Sequence, residues 1–485
     1  MIFPEVKKLK KSLNDSMDIV VRELSCGERE INIIYIKSML NEDLFVSGVL
    51  GPLIDFGSSL SEYSADKKFS LDNLINEVLK TIDIEKIDKK DALKNMCENK
   101  AILFLKGERK ALAIDMIKFP TRTPEEPPTS AVLKGPREGF VEDIKTNISL
   151  LRRRFSNEKL VIKEQKIGKC SQTKVAIVYV QGVADKKLVK QVQNKLSAID
   201  IDGIIDSYYL TSFLQSEKGS MFKQVGSCEK PDIVSAKILE GRIAILVDNT
   251  PIVLTVPFIF LEDLQNSNDY YSLDQYASYI RFIRLLGLVF AVLIPGAYIA
   301  IRLYHYNVVP LSFFITIANA TTAIPLTPFL EIVFILILFE VLYEVSLRLP
   351  RYLGLATSIV GALILGDTGV KAGLISPPGV MVIALSIIAV YTIPDQVDQI
   401  NLLRAVFIVL GGGLGLFGII AGFIFIIAYL NNLENFNVAY LAPYSPRIRQ
   451  DLKDGVIKRN ITGMKTRPKS LHNKNKVRLK DGKNS

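Results

Sequence analysis

Tryptophan is absent from the 485 residues, histidine occurs twice and cysteine four times. His305 and His472 stand too far apart in the chain to suggest one site, so zinc chemistry and a histidine-based triad are not expected. Cys26, Cys97, Cys170 and Cys228 show no C-x-x-C spacing and read as reduced cytosolic thiols, not disulfides or metal ligands. The opening MIFPEVKKLKKSLNDSMD lacks the apolar core of a secretory signal and reads as a polar arm. No G-x-G-x-x-G, Walker lysine loop, nucleophile elbow or paired-carboxylate motif occurs, so neither a cofactor nor enzymatic activity is expected. One further absence is local: residues 405–430 carry no charge at all.

That stretch closes about 150 mostly apolar residues beginning at Arg284. A bilayer core about 30 Å thick takes about 20 apolar residues in helix. Windows near that length lie at 284–304, 328–347, 354–374, 378–393 and 405–430. A shorter one, PLSFFITIANATTAIP, is broken by Pro310, Asn319 and Pro325. The overall 49% hydrophobic and 23% charged residues would suit an ordinary globular protein. It is their segregation that points to an all-α polytopic membrane domain preceded by a soluble domain. Residues 447–485 hold 13 Lys and Arg against 3 Asp and Glu, a net of +10 that equals the charge of the whole chain. The basic balance therefore belongs to the tail and does not argue for nucleic acid. Anionic lipid on the cytoplasmic face is one counterpart; a solvated tail is the other reading.

In the soluble part, strands are expected at Ile31–Met39, Ala101–Leu105 and Ala111–Ile117, the last two forming a hairpin. Helical spacing fits 70–81 and 89–98. Four prolines between Pro120 and Pro128 interrupt regular structure. Beyond them, Phe140, Ile144, Ile148, Leu151 and Phe155 make one apolar stripe over Arg137–Phe155, with Arg152, Arg153 and Arg154 in its last turn. A strand at Val175–Gly182, a helix at Lys186–Ala198 and a hairpin over Ile238–Phe258 complete this part. Strand starts at 31 and 175, and hairpins at about 101 and 243, recur at nearly one offset, which reads as two related α/β subdomains with mixed or parallel sheets. The expected layout is an arm at 1–24, subdomains at 25–118 and 137–275 around a linker at 119–136, membrane helices at 276–432 with 308–325 re-entrant, and a tail at 433–485.

Charged residues inside the apolar part carry the functional signal, since one at mid-bilayer costs at least about 2.5 kcal/mol. Glu340 and Glu344 share a helix face, with Arg348 one turn on, and are candidates for a pore lining or an inter-subunit surface. Asp367 and Lys371 repeat the i, i+4 spacing, which also fits an interfacial ion pair. Glu331 after Thr327-Pro328 reads as a first-turn residue, and Arg348, Arg351 and Arg404 as loop arginines. Asp367, Lys371 and Asn319, which marks the broken segment, are candidates of the same kind. Gly411, Gly415, Gly418 and Gly422 are spaced for close helix packing. An even number of crossings, with both termini in the cytoplasm, is expected.

SAVLKGPREGFVEDIKTNISLLRRR (130–154), KILEGRIAILVDNTPIVLTVPFIFLEDLQ (237–265), SNDYY (267–271), SIVGALILGDTGVKAGLISP (358–377), YTIPD (391–395) and YLAPYSP (440–446) resemble the spore germinant receptor A subunits of the GerA family. The resemblance implies a cytoplasmic domain of two α/β subdomains and a multi-pass domain in the spore inner membrane. It also implies a permease-like B subunit, a lipoprotein C subunit, and homo-oligomerisation into a ligand-gated ion channel. Two departures stand out: Thr321-Thr322-Ala323 where the family often has Arg-Glu-Gly, and Lys371 where it has an acid. The competing expectation is a secondary transporter component whose substrate site is the broken 310–325 segment.

Overall fold

In the computed structural model the described residues are 2–13, 16–26, 29–40, 42–62, 71–79, 84–97, 100–116, 134–350, 353–354, 359–361, 363–473 and 475–478. Most of the proline-rich linker lies outside them. The chain divides into an α/β unit (residues 1–218, 224–258 and 464–485) and a helical unit (219–223 and 259–463).

The α/β unit holds two five-stranded sheets. The first is built from β1 (Ile19–Cys26), β2 (Arg29–Ile36), β3 (Ile84–Asp88), β4 (Ala101–Leu105) and β5 (Lys110–Ile114), in the order β1-β2-β4-β5-β3. The second uses β6 (Leu160–Ile167), β7 (Thr173–Val180), β8 (Gly226–Cys228), β9 (Ile243–Val247) and β10 (Val253–Val256), in the order β6-β7-β9-β10-β8. The orders are the same strand for strand, so the two subdomains are related. The described pairings are all antiparallel, which corrects the mixed or parallel expectation. The long connections lead to the edge strands β3 and β8, which turn back against β5 and β10 and do not cross over in parallel. Both faces of the first sheet are covered: Ile31, Ile33 and Tyr35 of β2 enter one apolar cluster and Ile34 and Ile36 the other, as a period of two requires. This is why β2 reads as a continuous apolar run.

In the second subdomain, helix α1 (Ile144–Arg154) starts seven residues later than the apolar stripe suggests. Asp143 terminates it, its carboxylate accepting from the Thr146 N–H and Oγ. Phe140, Ile144, Ile148 and Leu151 pack with Val234 and Ile238 of helix α2 (Pro231–Leu239) over β6, β7 and β9. Arg152 is more than a last-turn cation. It is buried, ion-paired to Asp18 at 3.1 Å and bonded to the Leu160 carbonyl, while Ser16 bridges to both backbone groups of Ile162. These bonds join the two subdomains. The far end of the tail also belongs to this unit: Arg467 Nε donates to the Leu239 carbonyl at 2.9 Å and Asn473 to that of Glu240, capping the end of α2.

The helical unit contains α3 (Asp274–Leu303), α4 (Leu311–Thr321), α5 (Pro328–Arg348), α6 (Pro377–Val390) and α7 (Val397–Asn432). Among the described residues, α3 and Pro394–Asn432 are long and apolar enough to cross a membrane. At eleven residues, α4 is about 16 Å long. It falls short of crossing. Ion pairs and close approaches fix the directions: α5 and α6 run antiparallel to α3, and the first part of α7 runs parallel to it.

One window is not a single span. At Gly415 the backbone adopts φ 62, ψ −148, a conformation closed to residues with a Cβ. In a straight helix Phe407 and Gly422 would lie about 22 Å apart. A Cβ on Gly422 would instead lie 3.4 Å from Phe407 Cε1, and one on Gly418 only 2.7 Å from the Leu410 carbonyl. The helix folds back on itself. Its legs, 397–414 and 416–432, are each about 26 Å long, and the chain leaves this hairpin at the end where it entered.

Candidate functional site

The polar residues of the helical unit gather in three places. The first is a cavity of about 350 Å3 between α5, α6 and the first leg of α7, lined by Phe339, Glu340, Tyr343, Tyr391, Asn401 and Arg404 among others. Arg404 is 1% exposed and forms a 2.8 Å ion pair with Glu340, which stays 42% exposed toward the opening. The same guanidinium donates to Asn401 Oδ1 at 2.9 Å and to Ser386 Oγ at 3.3 Å. Ser386 has its own task. Pro295 lacks an N–H and so orphans the Ala291 carbonyl one turn back, and the Ser386 hydroxyl donates to it at 2.6 Å. The proline site in α3 is thus linked through one serine to the charged pair.

The second place lies at the opposite end of these helices. Glu331, fully buried, accepts from Arg302 at 3.1 Å and from the Ser376 N–H at 2.7 Å, while Ser376 Oγ caps α6. Tyr298 accepts from the same arginine at 3.3 Å. Close by in sequence, Tyr304 donates its hydroxyl to the Gly412 carbonyl at 2.7 Å, satisfying an acceptor that the break at Gly415 leaves open.

The third is the foot of α3. Asp269 is 3% exposed and receives Arg281 Nε at 3.0 Å and both terminal nitrogens of Arg284 at 2.7 and 2.9 Å. Burial alone would raise its pKa, but the two guanidiniums outweigh it and hold the carboxyl below the usual range. Arg281 also binds Asp454 and the Gly455 carbonyl, and Lys458 pairs with Asp274 at 2.8 Å. Residues 433–463 are therefore packed structure and not free tail, and residues 259–275, expected with the second subdomain, belong to the helical unit. Nearby, Asp263 receives Lys223 at 3.2 Å and Gln396 at 3.1 Å; burial pushes its pKa up despite the lysine. Phe222 stacks near Tyr429 and Tyr440 at ring separations of 5.6 and 6.3 Å. Tyr429 near the end of α7 thus meets Phe222, and Gln396 at its start reaches the adjacent Lys223 through Asp263, as the hairpin demands.

Of the expected site residues, Glu340 alone is joined to a buried partner. Glu344 pairs with Arg348 within an exposed turn, and Asp367 with Lys371 at 2.8 Å likewise. Asn319 is exposed on α4. Gly411 approaches α3 closely, since a Cβ there would lie 2.3 Å from the Gly296 carbonyl; Gly415 makes the turn, and Gly418 and Gly422 let the second leg lie on the first. Arg404 and Glu331 were missed as site residues, the one read as a loop arginine and the other as a first-turn acid. The available signal was Val397, Ile400, Leu403 and Phe407, an apolar stripe that starts the helix two turns before Arg404 and draws it inward.

Fold and site together define a two-part protein: a duplicated α/β unit and an apolar helical unit with several charged pairs buried among its helices. The chain belongs to the Bacillus/Clostridium GerA spore germination protein family, whose sequence profile matches residues 7–470. It is 32% identical to spore germination protein KA of Bacillus subtilis (strain 168) over 98% of this chain and 87% of that one. It is 30% identical to spore germination protein B1 of the same organism over 95% of each. An uncharacterized membrane protein, YfkQ, also from that organism, is 33% identical over 93% of this chain and 87% of its own length. Among solved structures, the N-terminal domain of the A subunit of the Bacillus megaterium spore germinant receptor GerK3 is 25% identical. It covers 53% of this chain and 94% of that one, with a TM-score of 0.41.

Proposed function

We propose that this chain is the membrane subunit of a spore germinant receptor, non-enzymatic, that answers nutrient germinants by opening an ion path. In this reading the helical unit sits in the spore inner membrane and the α/β unit with its attached tail faces the cytoplasm. Several copies assemble with a permease-like B subunit, where the germinant binds, and a lipoprotein C subunit. The observation that carries the proposal is the Arg404–Glu340 pair: a guanidinium buried among apolar helices, its carboxylate left partly open beside a cavity. Membership of a spore germination family supports the biological setting. A ligand on a partner drives opening to the extent that it binds the open and closed states differently, so no germinant site is required in this chain.

The test is complementation of spores lacking the gene with the doubly substituted Glu340→Ala, Glu344→Ala chain, alongside current recording from the reconstituted receptor. Delayed potassium release and reduced single-channel current are expected. Normal release removes both carboxylates from the ion path, and solute counterflow without current favours a transporter instead.

A further inference from the structure

The basic tail is one piece in sequence and two in the fold: residues 433–463 go with the helical unit, those beyond with the α/β unit. The level of the first piece follows from α3. That helix has 30 residues, about 45 Å, whereas its apolar run from Leu285 to Ile301 covers about 26 Å, close to the thickness of a hydrocarbon core. Taken with the membrane reading of the helical unit, on which this inference rests, residues 274–284 stand at headgroup level. Tyr276 and Tyr279 are exposed there, as tyrosines at a membrane face commonly are. The loop after α7 is held at the same level by the Arg281–Asp454 and Lys458–Asp274 pairs and by Tyr270, which donates to Asp454 at 2.9 Å.

This loop folds on itself. The Arg459 N–H donates to the Lys453 carbonyl and the Val456 N–H to the Tyr444 hydroxyl, each at 2.9 Å, and the Asp451 N–H to the Ile448 carbonyl at 3.0 Å. These turns gather Arg447, Arg449, Lys453 and Arg459 into one patch. The three arginines are exposed and have no ion pair among the described residues. Of the loop's two acids Asp454 is taken by Arg281, which leaves Asp451 against four cations. Ile457, also exposed, stands beside Arg459 in the same loop. Guanidiniums bind phosphate through paired hydrogen bonds, and each basic residue at an anionic leaflet is worth about fivefold in affinity.

We propose that residues 443–460 dock on anionic phospholipid, with Arg447, Arg449 and Arg459 donating to headgroup phosphates and Ile457 entering the acyl boundary.

The chain has no tryptophan, so a single introduced one reports its own surroundings. Full-length Ile457→Trp is placed in nanodiscs of equal phosphatidylglycerol and phosphatidylcholine, with one or the other lipid brominated near the headgroup end of its chains. Phe417→Trp, at an exposed position of the α7 hairpin, serves as reference. At Ile457→Trp brominated phosphatidylglycerol should quench more strongly, by a local enrichment of at least about fivefold, while both lipids quench alike at Phe417→Trp. Adding Arg447→Gln, Arg449→Gln and Arg459→Gln should bring the ratio at Ile457→Trp to about one. Equal quenching by the two lipids at Ile457→Trp, or an enrichment that survives the triple substitution, overturns the proposal. Absence of quenching by either lipid at Phe417→Trp would instead sink the membrane reading beneath it.

Discussion

The two units distribute their residues in opposite ways. In the α/β unit, isoleucine, leucine and valine fill the interior of both sheets and most charged groups stay outside, Arg152, Asp18, Lys230 and Arg242 being buried. In the helical unit Phe290, Val341, Val409, Phe417 and Phe425 face outward, while Arg281, Glu331 and Arg404 are buried. Water explains the first pattern; the second fits the proposed membrane setting, where a charge away from the helix ends would have no solvent and would need its partner within. The comparison also separates two carboxylates one turn apart on α5. Glu340 reaches a buried arginine from another helix, whereas Glu344 meets only Arg348 of its own turn.

That contrast is tested with the largest expected effect at Asp269. Asp269→Asn removes the charge that Arg284 and the fully buried Arg281 share, leaving Arg281 with Asp454 as its carboxylate, and is expected to lower stability by roughly 3–5 kcal/mol, read as a fall in melting temperature of the detergent-solubilised chain. The same residue sets an acid limit. Its folded pKa is depressed, so its contribution is complete above the ordinary aspartate value of about 3.9 and is lost as pH falls from there toward the folded pKa. Melting temperature measured against pH should lose that acid-side component in the asparagine variant; an unchanged profile would assign the acid limit to other groups.

Replacing Glu340 by glutamine leaves Arg404 short of a charged partner and should cost about 1.5–3 kcal/mol, against no more than about 0.5 for Glu344→Gln on the exposed turn. Equal costs for the two would erase the distinction between them. At the hairpin, Gly415→Ala meets His305 Cε1 at 2.8 Å in a conformation alanine resists and should destabilise by about 1–3 kcal/mol. Gly413→Ala, with open space around it, should be neutral or stabilise by up to about 1 kcal/mol. In the α/β unit, Arg467→Ala uncaps α2 at Leu239 for about 0.5–1 kcal/mol, within reach of hydrogen exchange at that helix end.

Much of this architecture was legible in the residues. The repeated strand positions revealed the duplication, and apolar windows located α3 and α5 to α7, while the window at 354–374 lies partly outside the described residues. The edge strands β1, β3, β6 and β8 did not stand out: Arg22-Glu23 interrupts one, Lys163-Glu164-Gln165-Lys166 another, and an edge strand needs only one apolar face. Sheet direction followed from which edge each long connection reached, which spacing does not encode. The hairpin in α7 was hidden because its two legs share one composition, and Gly415 looks like any glycine until its φ is known. Arg404 was hidden by its neighbour, since the uncharged run beginning at Ala405 made it look like a boundary. The motifs SNDYY and YLAPYSP both reach the 454–456 loop: Tyr270 donates to Asp454 at 2.9 Å, and Tyr444 accepts from the Val456 N–H at 2.9 Å.

The central claim is that the last apolar stretch enters and leaves at one end, so that the chain after it returns to the side from which α3 started. Single cysteines answer this in oriented membrane vesicles, using chains with native cysteines replaced by serine. Leu273→Cys at the start of α3 and Ile461→Cys beyond the hairpin, both exposed positions, should react with an impermeant maleimide from the same side, while Gly413→Cys near the tip should not react from that side. Labelling of Leu273→Cys and Ile461→Cys from opposite sides would contradict the account.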